Sequence, residues 1–138
     1  LTDVEILMRQ EFTRESIDFK LTLENKDLVL NIDPSLIEQV LINLLRNSIH
    51  AVMGRTTRQI LMRSYQQDNT DIIEITDSGC GIPDKELKEI FIPFFSTKKD
   101  GSGIGLSLSK QIMSMHNGRI RVSSKVDQGT SFFLIFRK

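Results

Sequence analysis

Apolar residues recur along this chain with two spacings, one suited to helices and one to strands, and their order outlines a fold. Residues 3–14 place apolar side chains at roughly helical intervals (Asp3-Val4-Glu5-Ile6-Leu7-Met8-Arg9-Gln10), with Thr2 or Asp3 available as an N-cap. Ile17, Phe19, Leu21 and Leu23 then alternate with polar neighbours, the period of a half-buried strand. A turn at Glu24-Asn25-Lys26-Asp27 predicts a returning hairpin strand over Leu28-Val29-Leu30-Asn31-Ile32. Asp33-Pro34 reads as a cap followed by a first-turn proline. The helix it opens is expected to reach about Met53 and stop at Gly54, with Leu36, Ile37, Val40, Leu41, Leu44 and Leu45 as one wide core-facing stripe.

Two further strands follow at 58–66 and 71–76, joined by a turn at Gln67-Asp68-Asn69-Thr70. From Pro83 to Lys99 a short charged helix gives way to Phe91-Ile92-Pro93-Phe94-Phe95 and a polar run, the pattern of a loop anchored by aromatics. A helix is predicted from Gly103 to about Met115, closed by a left-handed cap in His116-Asn117-Gly118. Ile120/Val122 and Phe132/Leu134/Phe136 alternate across a last hairpin that turns near Asp127-Gln128-Gly129. This order predicts an α+β fold in two layers, helices on one face of a mixed, mostly antiparallel sheet.

A length of 138 residues fits one domain over 1–138 with a single core. Hydrophobic content of 39% and charged content of 26% are those of a soluble globular protein. Eighteen basic residues balance eighteen acidic ones, which argues against general attraction to nucleic acid or anionic lipid. The lone Cys80 has no partner for an internal disulfide and suits a reducing compartment. With no apolar run of membrane-spanning length and a first residue other than Met, the chain reads as a cytoplasmic domain excised from a longer protein. This reading is compatible with a parent anchored in a membrane that carries the domain on its cytoplasmic side.

Candidate chemistry collects in three places. Asn43 and Asn47 lie one helical turn apart in the apolar stripe, and an unpaired buried amide there would cost about 1–3 kcal/mol. One such Asn is as readily satisfied by backbone as by a ligand; two on one face, with His50 a turn further on, favour a cluster aimed at a ligand. Amide oxygens are hard ligands suited to Mg²⁺, which also binds substrate phosphates and keeps several waters. His50 reads equally as a phosphate donor or as a solvated helix-end residue. Asp77 ends an apolar strand before Gly79 and Gly81, where a carboxylate can accept from an exocyclic amine while glycines let backbone approach a flat base. Gly101-Ser102-Gly103-Ile104-Gly105-Leu106 opens a helix whose free amides and dipole suit phosphate, without the Lys of a Walker loop. Lys98 and Lys99 can reach a triphosphate or simply be solvated, Cys80 reads as small-residue packing, and His116 as a helix-end residue.

With these residues in place, the chain resembles the catalytic ATP-binding domain of bacterial two-component sensor histidine kinases. These sit in the superfamily that includes gyrase, heat-shock chaperone and mismatch-repair ATPases (GHKL). Gln39-Val40-Leu41-Ile42-Asn43-Leu44-Leu45-Arg46-Asn47-Ser48 matches the asparagine box, and Asp77-Ser78-Gly79-Cys80-Gly81-Ile82-Pro83 the first glycine box. Phe91-Ile92-Pro93-Phe94-Phe95 matches the phenylalanine box and Gly101 to Leu106 the second glycine box, all in family order over nearly the whole chain. The resemblance implies the Bergerat ATP-binding fold, a two-layer α/β sandwich with a mobile lid over roughly 84–102. It implies ATP and Mg²⁺ as cofactors, with Asn47 ligating the metal and Asn43 beside it in the phosphate network. Asp77 would take the adenine amine, Gly79, Gly81 and Ile82 would shape the base pocket, and Thr130 would stand near the base. Lys98, Gly101, Gly103, Ile104, Gly105 and Leu106 would face the phosphates, and His50 takes the place of a basic phosphate contact. Asn43 and His50 are thus the candidates nearest the chemistry.

The resemblance also implies partners. The γ-phosphoryl group would go to a His on a separate dimerisation and phosphoacceptor helical hairpin of the same parent, and from there to a response regulator. That acceptor motif is missing around His50 and His116. Alternatives are an ATPase or conformational switch of the same superfamily, a serine-directed anti-sigma kinase, or a degenerate binding domain. The hydrolytic branches resemble one another in a general-base glutamate one turn before the metal-binding Asn. Here that position is the amide Asn43, which favours transfer over hydrolysis, and the intact glycines and Asp77 disfavour degeneration.

Overall fold

The computed structural model describes residues 2–24, 33–93 and 105–137. Elements run α1 (Thr2–Arg14), β1 (Asp18–Leu23), α2 (Pro34–Val52), β2 (Gln59–Gln67), β3 (Thr70–Asp77), α3 (Asp84–Leu87), α4 (Gly105–Met115), β4 (Gly118–Lys125) and β5 (Gly129–Arg137). The strands form one sheet in the order β1-β2-β3-β5-β4. β1 pairs with β2 in parallel, and the other three pairings are antiparallel, so the sheet is mixed as expected. The strand expected over 28–32 lies outside the described residues. A parallel β1–β2 pair needs a crossover between its strands, and α2 lies in that connection.

α2 begins where the sequence says it must. The Asp33 carboxylate accepts from Ser35 N–H at 3.0 Å and Leu36 N–H at 3.4 Å, and Pro34 occupies the first turn. Its apolar stripe, Ile37, Val40, Leu41, Leu44, Leu45, Ile49 and Val52, is buried against Ile60, Met62, Ile73, Ile75, Phe132 and Leu134 of the sheet. Val4, Met8 and Phe12, four residues apart, add α1 to the same core. Removing a fully buried side chain such as Leu45 would cost about 2–5 kcal/mol.

The tight turns follow backbone chemistry. Asp68 and Asn69 both adopt positive φ (48° and 64°), the requirement of a two-residue hairpin loop between β2 and β3. After α4 the left-handed residue is Asn117 (φ 57°), with Gly118 already the first residue of β4. Asn tolerates that conformation through its short polar side chain. Gly118 serves packing instead: a Cβ there would lie 2.8 Å from Met113 Cε and 2.9 Å from the Ile135 carbonyl.

Candidate functional site

β3 is buried along nearly its whole length and delivers Asp77 at its end, only 4% exposed. Burial pushes its carboxyl above the ordinary 3.8. Donation from Gly79 N–H at 2.8 Å opposes that rise, as do the nearby Ser48 hydroxyl and Thr130 N–H. The Ser48 influence is proximity and not a formed bond, since its fully buried Oγ closes no hydrogen bond of normal geometry. An ionised carboxylate has about four lone-pair sites, so Asp77 keeps acceptor capacity after binding these neighbours.

The loop after Asp77 is fastened from three directions. Ser78 Oγ accepts from Gln59 N–H at 2.9 Å and donates to the Thr57 carbonyl at 3.0 Å. Cys80 N–H donates to the Ala51 carbonyl at 3.0 Å, and Asp127 N–H to the Cys80 carbonyl at 2.7 Å. Arg55 Nη1 then holds the Asp127 carboxylate at 3.0 Å, tying the β4–β5 turn to the end of α2. Gly79 is set so close to α2 that a Cβ would meet Ala51 backbone at 2.6 Å. Gly81 has φ 75° and would bring a Cβ within 2.0 Å of the Lys125 carbonyl. The Cys80 side chain is exposed, so this residue contributes its backbone and not the packing the sequence suggested.

α2 links this loop to a second group of residues. Ser48 adjoins Asp77, while Asn43 faces the start of α4: a Cβ on Gly105 would lie 3.8 Å from Asn43 Cγ. Asn43 and Asn47 are half-buried and His50 is exposed in the last turn of α2. Leu106, next to Gly105, packs against the core. Asp77, Gly79, Gly81, Ile82 and Thr130 thus form one cluster, meeting α2 at Ser48 and Ala51, and Asn43 and Gly105 another about one and a half to two turns earlier along α2. Lys98, Gly101, Gly103 and Ile104 lie outside the described residues, as do Phe94 and Phe95. Of the expected aromatic anchors, Phe91 is half-buried on the core, and the adjacent Ile90 is buried more deeply at 6% exposure. Ile90 has no distinguishing sequence signal beyond its bulk.

His116 is structural, as expected of a helix-end residue. Its Nε2 accepts from Asp33 N–H at 3.1 Å and its Nδ1 faces the Ile112 carbonyl at 2.8 Å, joining α4 to the start of α2. Sequence reading passed over Ser48, Ser124, Arg55 and Asp127. Only Ser48, a hydroxyl inside an apolar stripe, carried a signal. Among the described residues no three His, Cys, Asp or Glu side chains cluster to hold a metal. The donor set fits Mg²⁺ only as an ion held by an amide oxygen together with phosphates and water. No helix among the described residues is long and apolar enough to cross a membrane.

Residues 32–138 match the family described as histidine kinase-, DNA gyrase B- and HSP90-like ATPases. The chain is 39% identical over 130 residues to the signal transduction histidine-protein kinase AtoS of Escherichia coli, covering 94% of this chain and 21% of that protein. It therefore spans about a fifth of AtoS. Among solved structures, the nucleotide-free catalytic domain of the histidine kinase ThkA matches with a TM-score of 0.86 and 31% identity, over 99% of this chain and 89% of that one. ThkA in complex with the response regulator protein TrrA matches with a TM-score of 0.79 and 28% identity, over 98% of this chain and 38% of that one.

Proposed function

We propose, for a chain that belongs to the family of histidine kinase-, DNA gyrase B- and HSP90-like ATPases and is a histidine kinase catalytic domain within it, that it binds Mg-ATP and donates the γ-phosphoryl group to a histidine of another domain. The observation that carries this reading is Asp77: a buried carboxylate with unused acceptor capacity, set between close-approach glycines and joined through α2 to a helix start. Adenine offers an amine to such a carboxylate, and guanine offers a carbonyl oxygen that it repels. Gly79, Gly81, Ile82 and Thr130 would enclose the base. Gly105 and Leu106, beside Asn43, would turn the first amides of α4 toward phosphate, with Lys98, Gly101, Gly103 and Ile104 completing that end.

Asn47 would hold Mg²⁺ together with phosphate oxygens and water. When bound, the ion neutralises charge on the phosphates during transfer. Asn43 and His50 would hydrogen-bond the phosphate end. Asn43 stands where a general base would act, and an amide takes up no proton. This favours transfer to a supplied imidazole over hydrolysis, and phosphoryl transfer then becomes a problem of in-line positioning. The recipient is read as the phosphoacceptor and dimerisation hairpin of the same parent protein. A response regulator is read as the next recipient, in keeping with the ThkA–TrrA complex. The setting is read as cytoplasmic.

Calorimetric titration with ATP and GTP, each with and without Mg²⁺, tests the pocket. Tight binding of ATP alone, strengthened by Mg²⁺, is expected; equal affinity for GTP would remove the role given to Asp77.

A further inference from the structure

Ser124 lies in β4 beside the base loop, and its one hydroxyl meets three polar groups. Ile82 N–H donates to Ser124 Oγ at 2.8 Å. The Gly129 carbonyl lies 2.9 Å from the same oxygen, and Thr130 Oγ1 lies 2.8 Å from it. A serine hydroxyl has one proton and two lone pairs, an amide N–H only donates, and a carbonyl only accepts. Ser124 therefore gives its proton to Gly129 and takes one from Ile82, which leaves a single lone pair for Thr130. Thr130 must spend its own proton on Ser124. Toward everything else, Thr130 Oγ1 is an acceptor.

Thr130 stands directly opposite Asp77 in the β3–β5 register, and both are 4% exposed. We infer that Ser124 is a specificity-determining positioning residue: by consuming the Thr130 proton it turns that wall of the base pocket into a pair of acceptors, the Asp77 carboxylate and Thr130 Oγ1. Such a pair welcomes an exocyclic amine and rejects a carbonyl oxygen in the same place. The inference rests on the reading of Asp77 as the base contact. It assigns Ser124 more than a strap across the hairpin, because a strap has no bearing on which group the pocket prefers.

The test compares ATP with ITP, which carries a carbonyl oxygen where adenine carries its amine. Calorimetric dissociation constants are measured for the wild-type chain, Ser124→Ala, Ser124→Thr and Thr130→Val, with thermal melts confirming that each is folded. Wild type is expected to prefer ATP. In Ser124→Ala the Thr130 hydroxyl can turn and donate, so the preference should narrow by about three- to tenfold, the value of one neutral hydrogen bond. Ser124→Thr keeps the hydroxyl and should keep the preference. Should Ser124→Ala fail to fold, Thr130→Val serves instead: it removes the second acceptor and should narrow the preference through lost ATP affinity. An unchanged ATP-to-ITP ratio in the folded variant, with both nucleotides weakened alike, would overturn the assignment and leave Ser124 as a strap. A wild-type chain that binds neither nucleotide is a separate result, which removes the nucleotide reading beneath the inference.

Discussion

Asp77→Asn separates the cost of burying a charge from the benefit of having it there. In the folded chain the carboxylate accepts from Gly79 N–H at 2.8 Å, and Thr130 N–H adds to its stabilisation. An asparagine has one acceptor oxygen. If that oxygen stays on Gly79, the NH₂ group is left facing the place proposed for the adenine amine, donor against donor. Losing a buried hydrogen bond of this kind weakens ATP binding by about 1–3 kcal/mol, about 5- to 150-fold in Kd. The effect on the free domain has the opposite sign. Burial raises the Asp77 pKa above its ordinary 3.8, so between that value and the raised one the folded chain holds more protons than the unfolded chain. Stability from this group is complete below 3.8 and is lost as pH rises through the raised pKa. Near pH 7 Asp77→Asn should therefore raise the melting temperature of the free domain while weakening ATP binding. Because an amine favours the ionised form, wild-type ATP affinity should fall as pH drops through the same window, and the variant should lack that dependence. Thermal melts and calorimetry across pH measure both quantities. A variant that melts lower at pH 7 with unaltered ATP affinity would show that Asp77 is a structural acceptor only.

Gly79→Ala should weaken ATP binding and cost about 1–3 kcal/mol of stability, because its Cβ meets Ala51 backbone at 2.6 Å. Gly54→Ala is its control: φ is 81° but the surrounding space is open, so about 1–2 kcal/mol of stability should be lost with ATP affinity intact. Hydrogen exchange should find the amides of α3 and the turn after it among the fastest of the described residues. α3 is only four residues long and has no side-chain cap. Mg-ATP should slow them, and protection equal to that of β3 before nucleotide is added would refute a gating role for that segment.

The sequence reported the elements well wherever one physical cause dominated. Asp33-Pro34 announced α2 through capping and fixed φ, and strict alternation announced β4 and β5. It reported the sheet less fully. The parallel β1–β2 pairing depends on contacts between residues some 40 positions apart, which no local period encodes. The left-handed cap after α4 was legible as His116-Asn117-Gly118, and the structure puts it at Asn117 (φ 57°), while the close approach of Met113 and Ile135 gives Gly118 a packing role. In the site, Asp77 and its glycines were legible because burial beside an apolar strand is visible in sequence. Ser124 and the Arg55–Asp127 pair were not. Each acts across turns that bring distant segments together, and singly a serine or a surface ion pair carries no signal.

Transfer of a phosphoryl group from ATP to an imidazole on another domain leaves a label that can be followed. The decisive assay incubates this chain with γ-labelled ATP and Mg²⁺, with and without the phosphoacceptor hairpin proposed as its recipient. The expected result is no label on the chain alone, little release of inorganic phosphate, and acid-labile label on the hairpin when the two are combined. Rapid phosphate release by the chain alone, or label on His50 or His116, would contradict it.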